Sequence, residues 1–153
     1  MIASNIHILN ISSANSVLDK VKAKYQYDRN DTAYWYPLNV NELPFDEGNA
    51  LYIDKNIMMP KLGDIKNVYS VSNGIYCILA YWIKHNYVLE INDLDFEYMG
   101  RNVCVEYFCV TKDFASVLYV SHEGTVTFAG EKLDAVKAIL EPLKHEWNVY
   151  HGG

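Results

Sequence analysis

Short stretches of alternating or continuous apolar residues, separated by turn-forming residues, predict a series of β-strands. These stretches are residues 6–11, 51–53, 68–71, 87–91, 93–98, 103–111, 115–121 and 125–129. Only a few residues separate the last four stretches from one another, and links this short join antiparallel neighbours. The pattern therefore predicts an antiparallel β-meander in the second half of the chain.

Apolar positions with helical spacing predict a helix near each end of the chain. The first covers residues 17–24, with Ser13 or Ser16 as its N-cap. The second starts at Glu131, and Pro142 should kink it or divide it in two.

A third helix is predicted over residues 73–86, directly after Ser72. Its apolar residues follow an i, i+3, i+4, i+7, i+8 pattern and are Ile75, Ile78, Leu79, Trp82 and Ile83. Because the opposite side is also largely apolar, we expect a mostly buried central helix. The fold class is thus α+β, an antiparallel meander sheet with the central and C-terminal helices packed on one face.

Composition narrows the class of protein. The chain has 153 residues, half of them apolar, which suits a single globular domain over residues 1–153. Three cysteines in apolar surroundings do not suggest a disulfide framework, and the first residues lack the features of a secretory signal, so we expect a cytoplasmic protein. The net charge of −6 argues against nucleic-acid binding, and no apolar stretch is long enough to span a membrane.

An acidic ridge is predicted where Asp93, Asp95 and Glu97 alternate with apolar residues. Side chains two apart on a strand point the same way, so the three carboxylates line up on one face. Such a ridge could bind a basic partner or help to ligate Mg²⁺. It could equally be an exposed strand whose charges discourage aggregation.

Three consecutive aromatic residues, Tyr34, Trp35 and Tyr36, lie in a stretch from residue 25 to 49 that has no regular period. Neighbouring side chains of an extended chain alternate sides, so at least one of the three should be partly exposed. Exposed Tyr and Trp are typical of binding hot spots. The alternative is a segment folded over the sheet, with these rings closing a small core of their own.

A thiol enzyme is the sharpest catalytic hypothesis. Cys77 would lie in the first turns of the central helix, where the helix dipole lowers the pKa of a thiol. His122 would be the base, oriented by Asp134, Asn148 or His151. The ordinary alternative is a buried structural cysteine.

Taken together, these features favour a non-enzymatic protein-binding domain of the immunity-protein or antitoxin type. It would inhibit a basic partner, a toxin or nuclease domain, by occluding its site, with the acidic ridge and the three aromatics as partner-binding residues. The sequence predicts no cofactor and no metal, and neither nucleic acid nor membrane as a partner. A cysteine hydrolase and a structural or scaffold subunit are the alternatives.

Overall fold

One antiparallel sheet organises the protein. The computed structural model describes residues 7–25, 50–70, 75–79, 86–89, 107–121 and 124–149. Within these ranges the sheet has seven strands in the order β1-β4-β3-β5-β6-β7-β2. The strands are β1 His7–Leu9, β2 Ala50–Asp54, β3 Ile75–Leu79, β4 Asn86–Leu89, β5 Tyr107–Thr111, β6 Ser116–Val120 and β7 Thr125–Gly130. The run β5-β6-β7 is the part of the predicted meander that lies within the described residues, and the α+β antiparallel class is confirmed.

Four α-helices accompany the described strands: α1 Ile11–Tyr25, α2 Lys55–Met58, α3 Leu62–Tyr69 and α4 Leu133–Leu140. The first begins earlier than predicted, because Asn10 rather than Ser13 or Ser16 caps it. The Asn10 Oδ1 accepts a hydrogen bond from the Ser13 N–H at 2.8 Å. At the other end of the chain the predicted division at Pro142 is confirmed, since α4 gives way to a 3₁₀ helix, Glu141–Glu146.

The predicted central helix is wrong where the structure describes it. Residues 75–79 form β3, which pairs with β4 on one side and β5 on the other. An apolar run of this length fits a strand buried on both faces as well as it fits a helix, and periodicity alone does not separate the two. Residues 75–79 form a strand because β4 and β5 pair with them, one on each side.

A smaller correction concerns residues 68–71, predicted as a strand. Val68 and Tyr69 instead end α3, in which Ile65 and Tyr69 are buried against the sheet. Their spacing of four is that of a helix face.

Helices cover both faces of the sheet, not one as predicted. On one face α3 and α4 pack over Leu51, Leu118 and Phe128. On the other, α1 packs over Ala50, Val117 and Ala129, which are the chain neighbours of those residues. Adjacent strand residues point to opposite sides, so these are two separate cores with the sheet between them.

Candidate functional site

The sequence-predicted partner-binding residues lie outside the described residues. This holds for the acidic ridge, Asp93, Asp95 and Glu97, and for the aromatic triplet Tyr34, Trp35 and Tyr36. Their burial and register therefore stay predictions. The structure does describe the helix and strand ends from which their two segments depart.

Charge is unevenly divided between those segments and the rest of the protein. The described residues carry ten lysines and eight carboxylates, a net charge of +2. Residues 26–49 carry one arginine and five carboxylates, and residues 90–106 have the same balance, so each segment has a net charge of −4. The acidity of the chain thus comes from the two segments that hold the predicted binding residues.

Both acidic segments connect to the same end of the sheet. A row of register partners runs across this end through Ala50, Ala129, Val117, Val110, Tyr76 and Val88. The segment 26–49 enters β2 at Ala50, and the segment 90–106 leaves β4 at Leu89, next to Val88. We call this the Ala50 end of the sheet.

The last turns of α1, which lead into the first acidic segment, also lie at the Ala50 end. The Lys20 Nζ is 5.2 Å from the centre of the Phe114 ring, in the β5–β6 turn. Lys24 is close enough to Asp113 in that turn to act on its carboxylate electrostatically. Three of the four points where the acidic segments join the framework are thus at one end of the sheet, and Tyr107 of β5 is the exception.

The β5–β6 turn is the described part of this end. Asp113 Oδ1 accepts hydrogen bonds from the Thr111 hydroxyl at 2.7 Å and the Ala115 N–H at 2.9 Å. These two donors, with a contribution from Lys24, hold the pKa of the Asp113 carboxyl below its ordinary value. Because these bonds favour the ionised form of Asp113, its carboxylate stabilises the turn.

Phe114 takes the left-handed backbone conformation, with φ of 61°. Bulky residues rarely adopt it, so the surrounding bonds must hold it in place. The Phe114 N–H donates to the Thr111 carbonyl at 2.8 Å, and the Phe114 ring lies 5.9 Å from the Tyr76 ring. The result is a partly buried aromatic fixed at the Ala50 end.

The arrangement proposed for a thiol enzyme loses its main premise. Cys77 lies inside β3, with Tyr87 and Cys109 as its register partners, and so is not in the first turns of a helix. Cys109, its neighbour on β5, is buried. Of the remaining groups, His122 and His151 lie outside the described residues, and Asp134 is exposed on α4.

Asn148, the third residue considered as an orienter of the base, is bonded to β2 instead. Its Oδ1 accepts from the Tyr52 N–H at 3.0 Å, and its N–H donates to the Tyr52 carbonyl at 2.7 Å. The Tyr52 hydroxyl donates to the Asn148 carbonyl at 2.6 Å. This contact had no signal in the sequence, because the two residues are 96 positions apart.

Hydroxyl side chains form a buried row that the sequence pattern also missed. Tyr52, Thr127 and Tyr119 are register partners on the α1 face of the sheet, at 7%, 0% and 0% exposure. Alternation of Thr125 and Thr127 with apolar neighbours suggests a solvent-facing side, yet both threonines are buried. Buried hydroxyls need hydrogen-bond partners, so this row belongs to the interior of the protein.

The described ranges show neither a metal-binding cluster nor a membrane-spanning helix. They contain no group of three or more His, Cys, Asp or Glu side chains placed to hold a metal ion. None of the helices in those ranges combines the length and apolar character required to cross a membrane.

Comparison with known proteins adds no assignment. The chain matches no family model, no curated protein and no solved structure.

Proposed function

We propose that this chain is a non-enzymatic protein-binding inhibitor of the immunity-protein or antitoxin type. It acts in the cytoplasm, and its acidic segments occlude the basic site of a partner protein such as a toxin or nuclease domain. The observation that carries the proposal is the division of charge. A framework of net charge +2 bears two segments of net charge −4 each.

Segregated charge has a different physical effect from charge spread evenly over a surface. An even distribution keeps a protein soluble, whereas concentrated charge of one sign raises the local potential and steers a partner of opposite sign. The positively charged framework would repel the same partner elsewhere on the molecule. A basic protein would therefore approach the acidic segments in a preferred orientation.

The attachment of these segments supports the same function. Binding residues are commonly carried on connecting segments held by a rigid scaffold. Here the sheet is such a scaffold, because Ala50 and Leu89 lie at one end of it and the last turns of α1 reach the same end. The fixed Phe114 ring lies at this end as well.

Two kinds of residue have separate roles in the proposed interface. The acidic ridge would act at the rim, mainly on the association rate. The aromatic triplet would be the anchor, since buried Trp and Tyr side chains provide most of the energy of a typical hot spot. No described contact favours a cysteine hydrolase or a scaffold subunit over the proposed inhibitor.

The test uses two variants with an equal change of charge. In the ridge variant, Asp93→Asn, Asp95→Asn and Glu97→Gln remove three negative charges. In the framework variant, the exposed carboxylates are replaced instead, as Asp64→Asn, Asp134→Asn and Glu141→Gln.

Each protein is first used to capture partners from the native cell, and binding of the purified partner is then measured at low and high salt. We expect a basic partner, and an association rate that the ridge variant lowers about tenfold at low salt, with little effect at about 1 M salt. The framework variant should associate like the wild type. A partner without basic character, or equal slowing by both variants, would remove the proposal.

A further inference from the structure

The fold places two of the chain's three cysteines opposite each other on neighbouring strands. Cys77 of β3 is the register partner of Cys109 of β5, and the two strands are antiparallel. Cys109 is 1% exposed and belongs to the core on the face of the sheet covered by α3 and α4. The chemistry open to this pair depends on the kind of register position that it occupies.

Register partners in an antiparallel ladder alternate between two kinds of pair. In one kind the two residues exchange main-chain hydrogen bonds, and their Cα atoms are about 5.5 Å apart. In the other kind the main-chain groups point away from each other, and the Cα atoms are about 4.5 Å apart. A disulfide needs Cβ atoms about 3.5–4.5 Å apart, so the second kind favours it, because its side chains lie closer together.

Hydrogen bonds of β6 show which kind of pair the cysteines form. The N–H and carbonyl of Ser116 point toward β5, because both bond to the Thr111 hydroxyl, at 3.1 and 3.2 Å. Main-chain groups alternate along a strand, so those of Leu118 also point toward β5. Leu118 is the register partner of Cys109, and the main-chain groups of Cys109 therefore point toward β6 and away from β3.

A bond on the other side of β6 agrees with this direction. The Ser121 N–H donates to the Thr125 carbonyl, on β7, at 2.9 Å. Leu118 lies three residues before Ser121, so its main-chain groups point the opposite way, toward β5. Cys77 and Cys109 are thus a pair without mutual main-chain hydrogen bonds, the position at which opposite side chains come closest.

We propose that Cys77 and Cys109 are an oxidation site, a dithiol that small-molecule disulfides convert to a cross-strand disulfide. The thiolate of one cysteine attacks the small disulfide RSSR, which forms a mixed disulfide and releases RS⁻. The thiolate of the other cysteine attacks the mixed disulfide, forms the bond between the two cysteines and releases a second RS⁻. The two RS⁻ take up the two protons that the cysteines lose, so RSSR gains the two electrons that the protein loses.

The disulfide closes a loop that contains β4 and the segment 90–106, because the chain runs through both on its way from β3 to β5. A cross-link over such a loop restricts the unfolded chain and so stabilises the fold. Burial of Cys109 makes oxidation slower than at an exposed thiol, since the reagent reaches it only when the sheet opens locally. The pair is a dithiol in a reducing compartment, and an excess of oxidised small disulfides converts it to the more stable form. This chemistry depends on the sheet register and not on the proposed binding function.

The test compares the folded wild-type chain with the urea-unfolded chain, each treated with oxidised glutathione. In the unfolded chain the shortest loop closes most readily, so Cys104 and Cys109 should pair most often. In the folded protein we expect the bond between Cys77 and Cys109 to predominate, with a mass lower by two hydrogens. Proteolysis without reduction, followed by mass spectrometry, identifies each disulfide. Excess reduced glutathione should restore both thiols.

Three variants and one stability measurement complete the experiment. Folded Cys104→Ser should form the same disulfide as the wild type, whereas Cys77→Ala and Cys109→Ala should each lose it, and either one decides if the other fails to fold. The linked protein should keep the circular dichroism spectrum of the reduced protein and unfold at a midpoint about 5 °C higher or more. The same disulfide mixture from folded and unfolded chains, or a linked protein with a lower midpoint, would overturn the proposal.

Discussion

At the β5–β6 turn a phenylalanine occupies a backbone conformation that more often belongs to glycine or asparagine. Phe114 keeps it because its N–H bonds to Thr111 and its ring packs on Tyr76. Asp113 adds the bonds from the Thr111 hydroxyl and the Ala115 N–H. Local strain is thus balanced within a few residues, at the point where α1 meets the sheet.

Replacing Asp113 by alanine should lower the free energy of unfolding by about 0.5–1 kcal/mol near neutral pH, a low value because the side chain is exposed. The pKa of Asp113 is lowered in the folded state. Its contribution is therefore complete above the unfolded-state pKa and is lost as pH falls through the folded-state pKa.

The measurement is urea unfolding of wild type and variant at several pH values from about 7 to about 3. The difference between the two proteins should narrow toward the acid end. A difference that stays constant over this range would show that the carboxylate charge plays no part in fixing the turn.

Gly130 is a second residue whose backbone dictates its identity. Its φ is +100°, and an added Cβ would lie 2.7 Å from the Ser116 Cα and closer still to the Ala115 carbonyl oxygen. Gly130→Ala should cost about 1–3 kcal/mol or more, since backbone atoms on β6 would have to move.

Gly63→Ala is the matched control for Gly130→Ala. Gly63 lies in α3, and its added Cβ would meet nothing within 4 Å, so this change should stabilise by up to about 1 kcal/mol. Thermal unfolding of both variants gives the comparison. Equal effects of the two substitutions would contradict the argument.

At the scale of whole elements, the two faces of the sheet have different partners. The face under α3 and α4 is apolar throughout its described centre, with Phe128 and Leu118 completely buried. The face under α1 is apolar at the Ala50 end, and the hydroxyl row of Tyr52, Thr127 and Tyr119 crosses it further along. Only α1, among the described helices, packs on this second face.

The packing of α1 predicts a clear contrast between its two sides. Val21 is completely buried against the sheet, and Val21→Ala should lower the free energy of unfolding by about 1–3 kcal/mol. Ala23, two residues further on, is exposed, and Ala23→Ser should change the free energy of unfolding by less than about 0.5 kcal/mol. Chemical denaturation measures the free energy of unfolding of both variants. If Val21→Ala lowered it only slightly, the packing of α1 would add little to the stability of the core.

At the scale of the whole molecule, the net charge of −6 combines a framework of described residues with net charge +2 and two segments with net charge −4 each. The framework and the acidic segments therefore play different electrostatic parts. Substitutions in the framework should act mainly on stability, whereas substitutions in the segments should act on binding. The aromatic triplet offers a test that does not depend on charge.

Trp35→Ala should raise the dissociation rate of the complex with the captured partner, at a cost of about 2 kcal/mol or more in binding energy. Its association rate should stay close to that of the wild type, because no charge is lost. Val149→Ala, which shortens an exposed apolar side chain of the framework, is the control. Surface-bound kinetics measure both variants, and normal dissociation of the Trp35 variant would remove the triplet from the interface.

How much of the structure the sequence predicts depends on how close together in the chain the residues of each pattern lie. The strands β6 and β7, the turn between β5 and β6, and the stripe of α4 with its break at Pro142 all involve residues close together in the chain. Each was predicted and is confirmed. For the acidic ridge and the aromatic triplet, pattern and composition alone give a hypothesis about binding, which stays a prediction.

Long-range contacts decided the rest. Residues 75–79 form a strand because β4 and β5 lie on either side, and no local property distinguishes that outcome from a buried helix. Thr127 is polar yet buried, and Asn148 bonds to Tyr52, which is 96 positions away in the chain. A residue's neighbours along the chain set its conformational preference, but only the folded sheet determines which groups it buries and which it bonds.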